Sequence, residues 1–173
     1  MKGFITLAAV LGGLALASTT ATAQAQARGP QSLVVTAQNV TARATGRPAD
    51  VLQGDTVRYE LRFVNTQSAA VKNVVFDDPI PNGMRYVAGT AAADRSGVAV
   101  AYSIDGGRSY SAEPTVQRVV DGRRVNVPAP PELFTHIRWM VQGELLPGAR
   151  VSAEFRAQLA PHTQDQPAPP RRG

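Results

Sequence analysis

Alternation of apolar and polar side chains with a period of two residues constrains this chain more than any other feature. In residues 56–65 the apolar side chains of Val57, Tyr59, Leu61 and Phe63 alternate with the charged side chains of Arg58, Glu60 and Arg62. In residues 150–159 they are Val151, Ala153, Phe155, Ala157 and Leu159. Because successive side chains of a strand point to opposite faces, each segment is predicted to be a strand with one face buried and the other in water.

Shorter segments of the same kind predict further strands. They are residues 33–40, 74–77, 84–88, 98–104, 116–127 and 137–141. The segment 116–127 contains Asp121-Gly122, a two-residue hairpin signal flanked by valines. Turns rich in Gly and Pro separate the segments, as at Asn82-Gly83 and Leu146-Pro147-Gly148. Short alternating strands joined by such turns favour an all-β fold in which two antiparallel sheets form a β-sandwich.

The N-terminus and the C-terminus differ from the rest of the chain. Residues 1–27 contain Lys2, an apolar run over residues 4–17 and small residues up to Ala27, which are the parts of a secretory signal peptide. The apolar run is shorter than the ~20 residues that span a bilayer, so cleavage is favoured over a retained anchor. We therefore predict a cleaved signal peptide over residues 1–27, a β-sandwich domain over residues 28–160 and a Pro-rich disordered tail over residues 161–173. The predicted location is periplasmic or secreted.

Composition narrows the classes of function. The chain has no cysteine, so neither a disulfide nor a thiol nucleophile is possible, and a domain of this size needs no disulfide. Its formal net charge is +5, but basic and acidic residues are interleaved along the chain. A nucleic-acid binder concentrates its basic residues, so we predict no nucleic-acid partner. Weak attraction to an acidic envelope polymer is an alternative to a solvated surface of mixed charge.

Three segments in order resemble one protein family. They are GDTVRYELRFVNT, VKNVVFDDPIPNGMRYVAGTA and IRWMVQGELLPGARVSAEFRAQL. Together they resemble the bacterial conserved-repeat domain of unknown function (domain of unknown function eleven), over residues 50–159 and in a single copy. The best matches are the turns at Gly54-Asp55, Pro81-Asn82-Gly83 and Leu146-Pro147-Gly148. The resemblance implies an immunoglobulin-like sandwich in a cell-envelope or surface protein, and it implies no catalytic residue.

The segment SIDGGRSY, residues 103–110, resembles the Asp-box hairpin of sialidase-type propellers. In such a turn Asp105 accepts backbone N–H groups while the glycines take left-handed φ angles. A propeller repeats its blades, and a single box cannot supply them. We therefore expect a structural turn, with calcium or sugar binding by Asp105 as the alternative.

Candidates for catalysis or metal binding are few. The chain has two histidines, His136 and His162, so a Ser-His-Asp site would have to use His136. Adjacent Asp77 and Asp78 would point to opposite faces of a strand, against the geometry of paired carboxylates, and we expect one of them to cap the turn at Pro79.

Oxygen ligands for calcium are present but scattered. Asp77, Asp78, Asp94 and Asp105 lack EF-hand spacing, and Asp beside Pro or Gly usually serves a turn. We predict no catalytic, cofactor-binding or metal-binding residue.

The aromatic residues separate two kinds of binding protein. Those on the apolar phase of their strands are Tyr59, Phe63, Tyr102, Trp139 and Phe155, which places them in a core rather than on a sugar-binding platform. Tyr110 and Phe134 lie near turns, where their side chains can be exposed to solvent.

We therefore predict a non-catalytic structural or adhesive interaction module of the bacterial cell envelope or exterior. Its partner is a protein or an envelope polymer, contacted through an exposed sheet edge by β-augmentation. No integral membrane anchor is expected after signal cleavage. The alternative is a carbohydrate-binding module.

Overall fold

The computed structural model of this chain describes residues 5–8 and 31–160. Residues 1–4 and 9–30, which include most of the predicted signal peptide, and residues 161–173, the predicted tail, lie outside the described residues. The described chain consists of strands, turns, one short α-helix and one short 3-10 helix. The prediction of an all-β chain with antiparallel sheets is confirmed.

The elements are as follows. The strands are β1 (Ile5–Ala8), β2 (Gln31–Asn39), β3 (Thr56–Asn65), β4 (Val71–Lys72), β5 (Val74–Pro79), β6 (Met84–Tyr86), β7 (Ala92–Ala93), β8 (Val98–Ser103), β9 (Thr115–Val120), β10 (Arg123–Pro128), β11 (His136–Val141), β12 (Glu144–Leu145) and β13 (Arg150–Leu159). The α-helix α1 spans Val40–Thr45, and the 3-10 helix η1 spans Pro131–Leu133.

Two larger sheets contain most of these strands. Sheet I has the order β1-β5-β11-β8, and sheet II has the order β2-β3-β13-β6, with β7 also paired to β13. The pairs are antiparallel except that β1 runs parallel to β5. The pair β4-β12 and the hairpin β9-β10 are separate two-stranded sheets.

The two most strongly alternating segments form neighbouring strands of sheet II. The predicted segments 56–65 and 150–159 are β3 and β13, and their apolar sets point inward as predicted. Tyr59 lies opposite Phe155 in the register, and their rings stack with centroids 4.9 Å apart. The inward-facing side chains of both strands therefore pack in the same core.

Ring contacts join the two sheets across that core. Phe63 of β3 lies 5.8 Å from Phe76 of β5, and Trp139 of β11 lies 6.1 Å from Phe155 of β13, measured between centroids. All four side chains are 0% exposed. Burial of a large apolar side chain contributes about 1.5–3 kcal/mol, so these four rings stabilise the packing of the two sheets.

Helix α1 was not expected, because sequence analysis predicted a strand through residue 40. The Asn39 side chain accepts a backbone N–H of the first turn of α1 and donates to Asp55 Oδ2 at 2.8 Å. Arg47 pairs with the other oxygen of Asp55 at 2.6 Å. Hydrogen bonds from Arg47 first and Asn39 second lower the pKa of Asp55 to about 2. The cap of α1 is thereby tied to the residue that precedes β3.

Candidate functional site

Asp78 lies inside the core of the molecule. It shares the inward face of β5 with Val74 and Phe76 and is 0% exposed. Within residues 31–160, neither oxygen of its carboxylate has a hydrogen-bond partner. Because burial disfavours the charged form, the pKa of Asp78 is raised from 3.8 to about 7.

Tyr59 of the opposite sheet is affected by the Asp78 charge. Burial first, and the negative charge of Asp78 second, raise the pKa of Tyr59 to about 12. The Tyr59 hydroxyl lies 2.9 Å from Met84 Sδ and donates to that atom. The Tyr59 hydroxyl donates its hydrogen bond to Met84, so it leaves Asp78 without a donor. A charged Asp78 in this position destabilises the core, and the two side chains do not form an acid/base pair.

Asp77, the neighbouring carboxylate, lies on the outer face of sheet I. Its two oxygens accept from Arg138 Nε and Nη2, each at 2.7 Å. The Arg138 guanidinium carbon also lies 3.7 Å from the ring centroid of Tyr110. The bond to Asp77 is the main cause that raises the pKa of Arg138. This bidentate pair joins β5 to β11, and Tyr110 covers it.

The two expectations for Asp77 and Asp78 have different outcomes. Their side chains point to opposite faces, as predicted. The expectation that one of them caps the turn at Pro79 is wrong, because Arg138 binds Asp77 and the strand phase turns Asp78 into the core.

Asp105 holds the turn of residues 103–110. It accepts from Ser109 N at 2.9 Å, from Ser109 Oγ at 2.6 Å, from Arg108 N at 3.1 Å and from Ser103 Oγ at 2.7 Å. These hydrogen bonds, those of Ser109 above all, hold the pKa of Asp105 well below its usual value. Gly106 and Gly107 have φ angles of 75° and 83°. The prediction that Asp105 accepts backbone N–H groups of its own turn is confirmed.

The two glycines of this turn should differ in their tolerance of alanine. A Cβ on Gly107 would lie 3.2 Å from the Tyr110 hydroxyl and 3.3 Å from the His136 ring, whereas one on Gly106 meets no atom within 4 Å. We expect Gly106→Ala to lower the free energy of unfolding by about 1–2 kcal/mol through its left-handed φ alone. Gly107→Ala should lower the free energy of unfolding by more, because the Tyr110 hydroxyl and the His136 ring must also move. Urea unfolding of both variants measures the difference, and equal losses would contradict the contact with His136.

His136 is the histidine that a Ser-His-Asp site would need. Its Nδ1 lies 3.1 Å from Thr135 Oγ1. Ser103 is its partner in the β8-β11 register, but the Ser103 hydroxyl donates to Asp105. The three residue types are therefore neighbours without the Ser-to-His-to-Asp chain of hydrogen bonds that defines a triad.

The aspartates considered for calcium are not brought together. Asp77 and Asp105 are bonded as described above, Asp78 is in the core, and Asp94 accepts Ser152 N at 2.9 Å beside sheet II. In the part of the chain that the structure describes, no three His, Cys, Asp or Glu residues are placed to hold a metal ion.

A recess of about 240 Å³ lies on the outer face of sheet II. Its lining residues are Thr36, Ala37, Gln38, Arg58 and Glu60. Arg58 pairs with Glu60 at 3.0 Å and with Glu154 at 2.9 Å. The charged groups at this recess are thus bonded to one another, as on an ordinary outer face of a sheet.

The aromatic residues lie largely where the alternation placed them. Tyr59, Phe63, Trp139 and Phe155 are buried, and Tyr102 is half-buried. Phe134, for which the sequence allows an exposed position, packs on Tyr102 and Tyr86 with ring centroids 4.7 and 5.7 Å away. Among residues 33–160, no aromatic side chain is fully exposed.

The outer backbone edge of β5, called here the β5 edge, accepts a strand from outside the predicted domain. β1 pairs with it in parallel, with Ile5 opposite Val74 and Ala8 opposite Asp77. β11 occupies the other side of β5. Because β1 falls in the predicted signal peptide, its pairing with this edge does not follow from the sequence pattern.

Comparison of the chain with protein-family models, curated proteins and solved structures gave no match. Among the described residues, no α-helix is long and apolar enough to cross a bilayer. The function is therefore inferred from the chain's own residues.

Proposed function

We propose that this chain is a non-catalytic interaction module of the bacterial cell envelope or exterior, exported to the periplasm or secreted. It binds a partner protein that adds a strand to the β5 edge. The observation that carries this proposal is the pairing of β1 with β5. Cleavage of the predicted signal peptide over residues 1–27 removes β1 and leaves the backbone of β5 unpaired on that side, and such an edge pairs readily with another chain.

The backbone geometry defines what the β5 edge can bind. Ile80 N donates to Thr135 O at 2.8 Å, towards the β11 side. Since the direction of N–H groups alternates along a strand, Val75 and Asp77 point their N–H groups to the β5 edge. A strand added there continues the inward face beside Val74 and therefore needs apolar side chains at alternate positions. The expected occupant is an extended, half-apolar segment that runs parallel to β5.

A peptide that contains the β1 sequence tests this directly. We expect residues 3–10, as a labelled peptide, to bind saturably to the exported protein whose N-terminus has been shown by sequencing to follow residue 27. Val75→Pro removes one N–H group from the β5 edge and should weaken binding by about tenfold, the value of one or two hydrogen bonds. Fluorescence anisotropy measures the affinity.

A scrambled peptide of the same composition is the control for nonspecific apolar binding, and circular dichroism shows whether Val75→Pro is folded. Equal binding of the scrambled peptide, or of the folded Val75→Pro variant, would contradict strand addition at this edge.

We also propose that the fold is immunoglobulin-like in the broad sense that the resemblance implies. Lettered A to G in chain order, the seven main strands are β2, β3, β5, β6, β8, β11 and β13. Sheet II then reads A-B-G-D and sheet I reads C-F-E, whereas constant-type immunoglobulin domains have A-B-E-D and C-F-G. The fifth and seventh strands have exchanged sheets. Sandwich domains often share the two-sheet architecture without the same strand order, which supports the broader class.

Two other classes of function have weaker support. A carbohydrate-binding module needs exposed rings, and those of Tyr110 and Phe134 are engaged with Arg138 and with Tyr86 and Tyr102. Binding on a glycan array would favour it. An enzyme would use His136, and hydrolysis of a generic ester that His136→Ala abolishes would favour that class.

A further inference from the structure

The hairpin of β9 and β10 forms a two-stranded sheet of its own. Within residues 5–8 and 31–160, neither strand pairs with any strand but the other. The turn at Asp121-Gly122 has the left-handed φ angles of 51° and 74° that a two-residue hairpin requires. Ala129 N donates to Pro114 O at 2.8 Å and closes the base. A lone two-stranded hairpin is marginally stable in water, so a surface that covers one face would stabilise it.

The two faces of the hairpin differ in chemistry. Cross-strand partners share a face, and three pairs make up the face that we call the valine face: Val116 with Val127, Arg118 with Val125, and Val120 with Arg123. The opposite face consists of Thr115, Gln117, Val119, Arg124, Asn126 and Pro128. On the valine face, Val120 is 48% exposed and Val125 is 38% exposed. Four valines thus form an apolar strip that carries two arginines and no acidic residue.

We propose that the valine face binds an anionic lipid membrane. The valines lie at the boundary between headgroups and acyl chains, and Arg118 and Arg123 bind lipid phosphates. An apolar strip with basic residues is the pattern of elements that lie in the plane of a membrane interface. This surface is formed by β9 and β10 and does not include β5, so the proposal does not depend on the β5 edge.

Charge and size favour lipid over a protein partner. Two copies of the valine face placed against each other would bring four arginines together without a counter-charge. A stable protein interface has about 20–30 residues on each side, and the valine face presents six side chains. A lipid surface needs no such area, because each basic residue near it adds attraction independently. The formal net charge is +5 for the full sequence and 17 − 13 = +4 once the predicted signal peptide with Lys2 is removed, so the exported protein keeps a positive charge that favours an anionic surface.

Vesicle flotation tests the proposal with the exported protein. We expect binding to vesicles that contain phosphatidylglycerol and none to vesicles of phosphatidylcholine alone. Arg118→Gln with Arg123→Gln should weaken binding by about thirtyfold, and Val120→Ser with Val125→Ser by about tenfold. The matched control is Val119→Ser on the opposite face, which should leave binding unchanged although Val119 is 68% exposed.

A second measurement does not depend on the stability of the serine variants. The chain has no cysteine, so Val120→Cys and Val119→Cys each provide a single labelling site for an environment-sensitive dye. We expect phosphatidylglycerol vesicles to shift the emission of the dye at residue 120 to the blue and to leave the dye at residue 119 in water.

Several results would overturn the proposal. Absence of flotation, equal responses of the two dyes, or unchanged flotation of the double valine variant would each do so. Binding of soluble polyphosphate that withstands the valine substitutions, with no vesicle binding, would assign the arginines to a soluble polyanion. A dimer in sedimentation experiments that the double valine variant dissociates would assign the face to a second copy of the chain.

Discussion

Replacement of Trp139 by alanine is expected to lower the free energy of unfolding by about 3–5 kcal/mol. Trp139 is 0% exposed and contacts the ring of Phe155 in the opposite sheet. It lies in β11 with Phe76 of β5 opposite it on one side and Val100 of β8 on the other. Removal of the indole leaves a cavity bounded by both sheets. Urea unfolding followed by circular dichroism measures the loss, since the variant lacks the chain's one tryptophan.

Trp139→Phe is the matched control. The indole Nε1 is buried without a hydrogen-bond partner in the described part of the chain, so phenylalanine keeps a ring in the core and removes an unsatisfied donor. We expect this variant to lose less than about 2 kcal/mol. A loss below about 0.5 kcal/mol for Trp139→Ala would place the indole outside the core and favour the sugar-binding alternative.

The strands of sheet II illustrate what the sequence could predict. The bounds of β3 and β13 and their inward faces follow from alternation, because period-two burial is a local property of a strand. Their pairing does not follow, because β3 and β13 are distant in sequence and only the folded core brings Tyr59 opposite Phe155. The same limit hides the position of β13 between β3 and β6.

Asp78 shows how a correct pattern can receive the wrong interpretation. Alternation already puts Asp78 in phase with Val74 and Phe76, but aspartate is rarely buried and Pro79 follows, so the sequence favours a turn cap.

The hairpin of β9 and β10 shows a similar limit. Its valines and its Asp121-Gly122 turn predict the hairpin, but the same valines would also suit a strand buried in the sandwich. Only the structure shows that Val119, Val120 and Val125 are exposed.

The candidate binding edge was the least predictable feature. The sequence predicts contact through a sheet edge but does not identify which edge, because edges are defined by long-range pairing.

Helix α1 is not predicted by the sequence for a related reason. Its six residues are too few for a helical period, and its cap depends on Asp55, which lies beyond the helix in the chain.

Replacement of Asp78 by asparagine is expected to stabilise the protein above pH 7. The pKa of Asp78 is about 7 in the folded chain against 3.8 as an ordinary value. That difference corresponds to about 4 kcal/mol, which is an upper limit for the cost of a charged Asp78. The asparagine amide also lacks hydrogen-bond partners in the core, at a cost of about 1–3 kcal/mol. The net gain at pH 8 should therefore be about 1–3 kcal/mol, measured by urea unfolding.

The pH dependence separates this explanation from a general packing effect. As pH rises from about 4 to about 7, the unfolded chain releases the Asp78 proton while the folded chain retains it, so the Asp78 contribution to stability falls. Above the folded pKa both states are charged and the loss is complete. The Asp78→Asn variant lacks this slope, so its advantage should shrink as pH falls through that range. Near pH 4, where the Asp78 charge no longer costs stability, the unpaired amide should leave the variant less stable than the parent by about 1–3 kcal/mol. Asp77→Asn is the matched control with the opposite sign, because it breaks the bidentate pair with Arg138 and should destabilise the protein at pH 8. An Asp78→Asn variant less stable than the parent at pH 8 would show that the carboxylate has a stabilising partner in the core.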